Sequence, residues 1–334
     1  MDKEVSKRAS VAIFVPHVGC PHKCSFCDQR AITGSAKLPH AVDVASACER
    51  ALECGAVPEN TEIAFFGGSF TAIPRGYMLE LLNAVQPYLN RGFRGIRLST
   101  RPDCIDSEIL RVLKEHGVTS IELGAQSMSD KVLADNERGH TAADVERASD
   151  LVKQFGFTFG LQMMVGLYGS TPELDIITAE RLIALKPEEA RIYPTVILRN
   201  TRLGELFLSG EYIPYSLDDT VALCTDILER FESAGITVIK LGLHASQDVE
   251  RDMLGGSYHP AFREICESLA YRRKMDKLIV GDKAAIFTVP PRMLSKALGQ
   301  HSSNIEYFRS KGISVKVIPL HGQSDDLIIQ TEEA

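Results

Sequence analysis

The 334-residue sequence has no tryptophan, no internal repeat and no low-complexity tract. It also lacks an apolar run long enough to span a bilayer, so no membrane partner is expected. The opening residues, Met1-Asp2-Lys3-Glu4-Val5-Ser6-Lys7-Arg8, have no apolar centre of the kind a signal peptide needs, and a cytoplasmic protein is expected. Positive charge is in short supply: the formal net charge is −7, which argues against wholesale nucleic-acid binding. Cysteine is scarce too. Of eight, three crowd into residues 20–27 and the rest are scattered, which excludes a disulfide framework.

What is present is the composition of a globular protein, 44% hydrophobic and 24% charged, with length enough for one large α/β domain and an appendage. Short apolar runs at 11–16, 61–66, 95–99, 119–124, 157–165, 190–197 and 236–241 alternate with amphipathic stretches near 41–54, 75–90, 106–116, 129–154, 172–185 and 217–234. In the third of these, Ile105, Ile109, Leu110 and Leu113 repeat at helical spacing, with Asp106 as N-cap and Gly117 as stop. Six or more βα units in series predict a parallel sheet with right-handed crossovers, which closed barrels, partial barrels and doubly wound sheets all satisfy.

Polar and glycine residues recur where the predicted strands end: Cys20–Cys27, Gly67-Gly68-Ser69-Phe70, Ser99-Thr100-Arg101-Pro102-Asp103, Gly124-Ala125-Gln126-Ser127 and Tyr193-Pro194-Thr195. Barrel enzymes build their sites at that rim, which favours a barrel-like arc over 1–245. After the turn-rich stretch Gly255–Pro260 the rhythm changes. A basic helix near 260–275, an apolar run at 284–289, a helix near 292–310 and the run Ile313–Ile318 predict a small basic α/β domain over 255–325. Residues 260–316 carry eleven Lys/Arg against five Asp/Glu, a local +6 that leaves −13 for the rest. Such a patch is either a surface for an anionic partner or a solvated helix face.

The stretch Cys20-Pro21-His22-Lys23-Cys24-Ser25-Phe26-Cys27 follows the first apolar run. Structural zinc and ordinary iron–sulfur electron carriers want four protein ligands, with His17 and His22 near enough to supply a fourth. Three cysteines around a cubane cluster instead leave one iron open. The C-x3-C-x-aromatic-C spacing after a first barrel strand resembles the radical SAM superfamily signature.

That resemblance implies a partial (β/α)6-type TIM-like barrel, a 4Fe–4S cluster held by Cys20, Cys24 and Cys27, and S-adenosylmethionine chelated at the open iron. An electron from the cluster then cleaves the sulfonium to a 5′-deoxyadenosyl radical. Gly67-Gly68-Ser69 is similar to the family's GGE-type motif that receives the methionine amino group, with Ser69 in place of the acid. Ser99 and Arg101 suit ribose and carboxylate recognition, and Gln126 and Gln162 offer neutral hydrogen bonds. Alternation turns only one of Gln162 and Met163 inward. Tyr193 is placed to gate a radical, with core packing the competing role. Lys240 and His244 are placed to reach substrate, while Arg138 and His140 either position an anion or serve the structure. A flavodoxin or ferredoxin-type donor is the usual source of the electron in this family.

A narrower resemblance rests on several motifs in order: Arg101-Pro102-Asp103, Glu122-Leu123-Gly124-Ala125-Gln126-Ser127, Asn136-Glu137-Arg138-Gly139-His140-Thr141, Ile192-Tyr193-Pro194-Thr195, Arg199-Asn200-Thr201 and Gly210-Glu211-Tyr212. Together they resemble the radical SAM half of the Elongator catalytic-subunit family over about residues 10–215. That family modifies the wobble uridine of tRNA, which makes tRNA or another RNA an expected substrate. The remaining residues leave no room for the acetyltransferase domain of that family, and its first two cluster cysteines lie further apart. A small metabolite or peptide is therefore the alternative substrate. A metal-stapled binding or electron-transfer protein is the alternative of another class.

Overall fold

The computed structural model describes residues 9–16, 23–28, 38–244, 247–281, 283–322 and 327–330. Its main sheet is parallel throughout and runs β1 (Ala9–Val15), β2 (Thr61–Gly67), β3 (Gly95–Thr100), β4 (Val118–Gln126), β5 (Thr158–Val165), β6 (Glu189–Pro194) and β8 (Thr237–Leu241), in that spatial order. Consecutive strands lie side by side because each is followed by a helix that crosses back over the sheet. The result is a curled partial barrel of the TIM-like kind, as expected from the rim pattern.

The strands carry apolar residues on the outward face, which the helices cover, while the inward face lines the barrel interior. Ile63, Phe65, Ile96, Leu98, Ile121, Leu123, Phe159 and Leu161 are fully buried beneath the helices in one continuous core. Helices begin where a side chain can satisfy the first free amides. Asp106, Thr141, Thr171 and Ser216 each accept from a backbone N–H in the first turn of the helix that follows.

Three expectations about elements need correction. The predicted helix over 129–154 is two helices, α4 (Asp130–Asp135) and α5 (Ala142–Gln154). Left-handed backbone at Glu137 and Gly139, φ 54° and 71°, breaks the helical path and throws out a loop carrying Arg138 and His140. The run 190–197 ends as a strand at Pro194, and Val196–Leu198 forms a separate strand, β7. β7 pairs antiparallel with β9 (Met253–Gly256), so the turn-rich stretch starts inside a strand. A Cβ on Gly256 would lie 2.5 Å from Thr195 O, which is why that pairing uses glycine. The predicted helix over 292–310 is broken at Gly299–Ser302, where His301 and Ser302 both have positive φ.

Beyond β9, the helix α10 (Phe262–Leu278) packs against α8 (Leu217–Ser233), and its Phe262 and Cys266 join the core of the barrel. Its far end buries Met275 against Phe287 and Phe308, under a sheet of β10 (Ala284–Val289), β11 (Ser314–Pro319) and β12 (Ile328–Gln330). One helix thus serves both cores. Several of the eleven cations are paired: Arg263 and Lys296 with Glu267, Arg309 with Glu306 and Lys311 with Asp276, acids already counted in the +6, and Arg273 with Asp226, outside the segment. Arg272 and Lys274 lie over the rings of Tyr307 and Tyr271, and Lys277 is exposed. Among the described residues no helix is long and apolar enough to cross a membrane.

Candidate active site

A cavity of about 520 Å³ opens at the C-terminal ends of the strands. Cys24 and Cys27 line it, as do Gly67, Gly68, Ser69, Ser99, Arg101 and Gln126 on one side and Gln162, Tyr193, Lys240 and His244 on the other. Cys20, His17 and His22 lie outside the described residues. The shared position follows from topology: these residues sit at or near the C-terminal ends of successive parallel strands, so curling the sheet brings all of them to one mouth.

The loop with Cys24 and Cys27 is pinned at Ser25. Ser25 N donates to Asn136 O at 3.1 Å, Ser25 Oγ to Asn136 Oδ1 at 2.7 Å, and Leu203 N to Ser25 O at 2.7 Å. Asn136 is held in turn by donating to Val132 O and Tyr168 O, both at 2.8 Å. Two residues on, buried Arg138 donates from Nη1 to Cys24 Sγ at 3.2 Å and from Nη2 to Gly124 O at 2.7 Å. The loop between α4 and α5 therefore sets the position of the cysteine loop. A glycine inside a helical pattern, Gly139, was the sequence signal for this loop; its contact with Cys24 had none.

The rim residues divide by what their side chains already do. Gly67 is glycine for the sake of β1: its φ is 109° and a Cβ would stand 2.7 Å from Val15 O. Gly68 N donates to the same Val15 O at 2.7 Å. Ser69 Oγ shares a hydrogen bond with Thr100 Oγ1 at 2.8 Å and accepts from Arg101 N at 3.1 Å, tying the β2 rim to the β3 rim. Arg101 grips both Asp103 oxygens at 2.9 Å and donates to Arg138 O, which leaves its buried Nη1 without a partner among the described residues. Arg138 Nε is buried and unpartnered in the same way. Gln126 stands at φ 66° beside a register shift between β4 and β5, an uncommon conformation for a non-glycine residue. Its Oε1 accepts from Gln162 Nε2 at 3.2 Å. Gln162 faces the cavity while Met163 is fully buried in the core, as strand alternation requires.

Two charged cavity residues were given no role of their own in the sequence analysis. Glu122, on β4, accepts from Arg191 Nε, on β6, at 2.6 Å, and Ser99 Oγ donates to the same carboxylate at 3.4 Å. Gly160 lies between them on β5; its missing side chain leaves room for Glu122 to reach across. Arg191 also stands 5.1 Å from the Phe66 ring centroid and 3.4 Å from Tyr193 OH. Burial pushes the Tyr193 phenol above its ordinary range, with Glu122 adding to the rise and Arg191 opposing it. A charged residue in the middle of an apolar strand was the available signal for both.

The comparisons with known proteins agree with this geometry. Residues 14–182 match the Radical SAM superfamily, and residues 187–272 match the Radical SAM C-terminal domain. The chain belongs to the radical SAM superfamily. As a radical SAM protein it is an enzyme, and its cofactors are a 4Fe–4S cluster and S-adenosylmethionine. The residues present fit both groups. Two thiols face one cavity, a guanidinium beside one sulfur offsets negative charge, and two buried guanidinium nitrogens in its wall await acceptors.

Among relatives, a tRNA uridine(34) acetyltransferase of Dehalococcoides mccartyi is 26% identical over 263 residues, covering 68% of this chain and 57% of that protein. Human Elongator complex protein 3 is 32% identical over 202 residues, covering 54% and 37%. The chain thus spans about half the length, or less, of these relatives. The solved structure of an archaeal Elp3 from Methanocaldococcus infernus matches in fold with TM-score 0.63 at 19% identity, covering 80% of this chain and 63% of that one.

Proposed function

We propose that this radical SAM enzyme abstracts hydrogen from an RNA substrate, tRNA being the class its relatives' names point to. The observation that carries the radical reading is the pair Cys24 and Cys27 on the wall of a cavity lined by glycine, hydroxyl, amide and guanidinium groups. In this reading Cys20, Cys24 and Cys27 hold the cluster. Gly67 and Gly68 offer backbone groups to S-adenosylmethionine, Ser99 a hydroxyl, Arg101 its free Nη1, and Gln126 with Gln162 an amide pair. Bound together, these cofactors supply a 5′-deoxyadenosyl radical by one-electron cleavage of the sulfonium, the electron coming from a flavodoxin or ferredoxin-type protein.

The chain's own contribution is to orient and to shield. Phe66 and Met164 line the cavity with apolar surface that limits water at a reactive centre. Tyr193 and Lys240 stand on β6 and β8, at the opposite edge of the sheet from β1, where this reading places substrate entry. Support for RNA comes from the relatives and from α10, where exposed Lys274 and Lys277, three residues apart, share a basic face. We take 255–325 as a small basic domain presenting that face.

Anaerobic reconstitution and reduction is the test. Formation of 5′-deoxyadenosine from S-adenosylmethionine is expected, as is iron retention in His17→Ala and His22→Ala. A protein that binds a single zinc and never cleaves S-adenosylmethionine overturns the enzyme reading. Co-purifying tRNA whose affinity falls steeply with salt supports RNA. The overall charge of −7 favours a small metabolite or peptide instead, and binding indifferent to salt would select it.

A further inference from the structure

Four residues stand in one register row across the inner face of the barrel: Gly124 on β4, Gln162 on β5, Arg191 on β6 and Lys240 on β8. All four line the cavity. The row is uncharged toward the cysteines and carries two cations side by side at the other end. Like charges directly opposite one another on paired strands repel, so such a pair ordinarily comes with acids to match.

Here only one of the two is matched. Arg191 has Glu122 at 2.6 Å. Lys240 Nζ has no hydrogen-bond or ion-pair partner among the described residues. Its other cationic neighbour, Arg263, is already engaged with Glu267 at 2.8 Å and Val238 O at 2.7 Å. Lys240 is half-buried, and burial, then Arg191, then Arg263 hold its ammonium below the usual lysine range. A half-buried cation among cations costs free energy in the free protein, and a bound anion removes that cost.

We propose that Lys240, with Arg191 beside it, is an anion subsite at the substrate end of the cavity that takes a phosphate or carboxylate group of the substrate. This rests on the reading of the cavity as a radical enzyme's active site. It adds the charge class of the substrate and the end of the cavity at which that charge sits. A phosphate comes with a nucleotide, a carboxylate with a small acid. In both cases the neutral end of the row, at Gln162 and Gly124, is left to the part of the substrate nearer the cysteines.

The ammonium can be read directly by amine acylation of the anaerobically reconstituted full chain, followed by peptide mass spectrometry. Inorganic phosphate or acetate is expected to slow modification of Lys240 by about fivefold while exposed Lys277 and Lys316 react as before. Protection by phosphate and uridine 5′-monophosphate, not by acetate or uridine, assigns a nucleotide phosphate; protection by acetate assigns a carboxylate. Thermal melts supply a second readout: the protecting anion raises Tm of the wild type and of Lys240→Arg but not of Lys240→Gln. Lys240→Gln without anion melts above the wild type. Equal reactivity of Lys240 with and without every anion overturns the subsite. Failure of the wild type to form 5′-deoxyadenosine, measured separately, instead overturns the enzymatic reading and leaves the protection result to stand by itself.

Discussion

Arg138 Nη1 donates to Cys24 Sγ at 3.2 Å, joining two residues 114 positions apart in the chain. The same guanidinium holds Gly124 O, and the carbonyl of Arg138 accepts from Arg101. A single residue therefore links the cysteine loop to the ends of β3 and β4, and its guanidinium places a positive charge against a sulfur expected to bind iron.

Hydrogen bonds and positive charge at a ligating sulfur stabilise the more negative, reduced state of a cluster. Arg138→Met is accordingly expected to make the cluster's midpoint potential more negative, with Arg138→Lys in between. Redox titration followed by electron paramagnetic resonance measures it; identical midpoints in all three proteins would remove Arg138 from this role.

Gly67→Ala is expected to destabilise the protein by about 1–3 kcal/mol. The added Cβ meets Val15 O, a backbone atom of the neighbouring strand that cannot rotate away, at a φ unfavourable to alanine. Urea melts test this. Gly55→Ala, also at positive φ but with nothing within 4 Å, separates the backbone cost from the clash.

Below the cavity, Arg97 bridges Glu62 at 3.0 Å and Glu189 at 2.7 Å, and Ser120 Oγ donates to Glu62 at 3.1 Å, all buried. Removing the cation strands two carboxylates in the interior. Arg97→Met should cost about 3–5 kcal/mol, much more than Arg97→Met combined with Glu62→Gln and Glu189→Gln. Denaturant midpoints of the single and triple variants decide it.

Two buried groups give the stability opposing pH dependences. Burial, with the nearby charge of Arg138, lowers the His140 imidazole from 6.5 to about 4. The unfolded chain then binds a proton that the folded one refuses, and stability is lost as pH falls from 6.5 toward 4. Burial raises the Asp175 carboxyl from 3.8 to about 6, against hydrogen bonds from Ser170 Oγ and Gly166 N. The folded state holds that proton longer, so this contribution declines as pH rises from 3.8 to 6. Each amounts to about 3 kcal/mol, and the two largely offset. Relative to the wild type, Asp175→Asn should gain stability with rising pH across this window and His140→Gln should lose it. Urea melts at pH 4.5 and 6.5 check both signs.

The sequence by itself determined the strand and helix order of the barrel, because apolar runs of strand length alternating with capped amphipathic stretches admit little else. It also determined the rim: Cys24, Gly67, Ser99, Arg101, Gln126 and Tyr193 were legible as unusual residues at strand ends, and they meet at one cavity. Tertiary structure alone decided what each side chain there is free to do. Ser69 is spent on Thr100 and Arg101, most of Arg101 on Asp103 and Arg138, and Gly67 serves the packing of β1. Glu122 and Arg191 were illegible as a pair because their strands are not neighbours, and only the curl of the sheet over Gly160 brings them together. The unmatched charge of Lys240 is of the same kind. The sequence marks Lys240 as a residue placed to reach substrate, but its want of a partner is legible only once folding shows which acids are out of its reach.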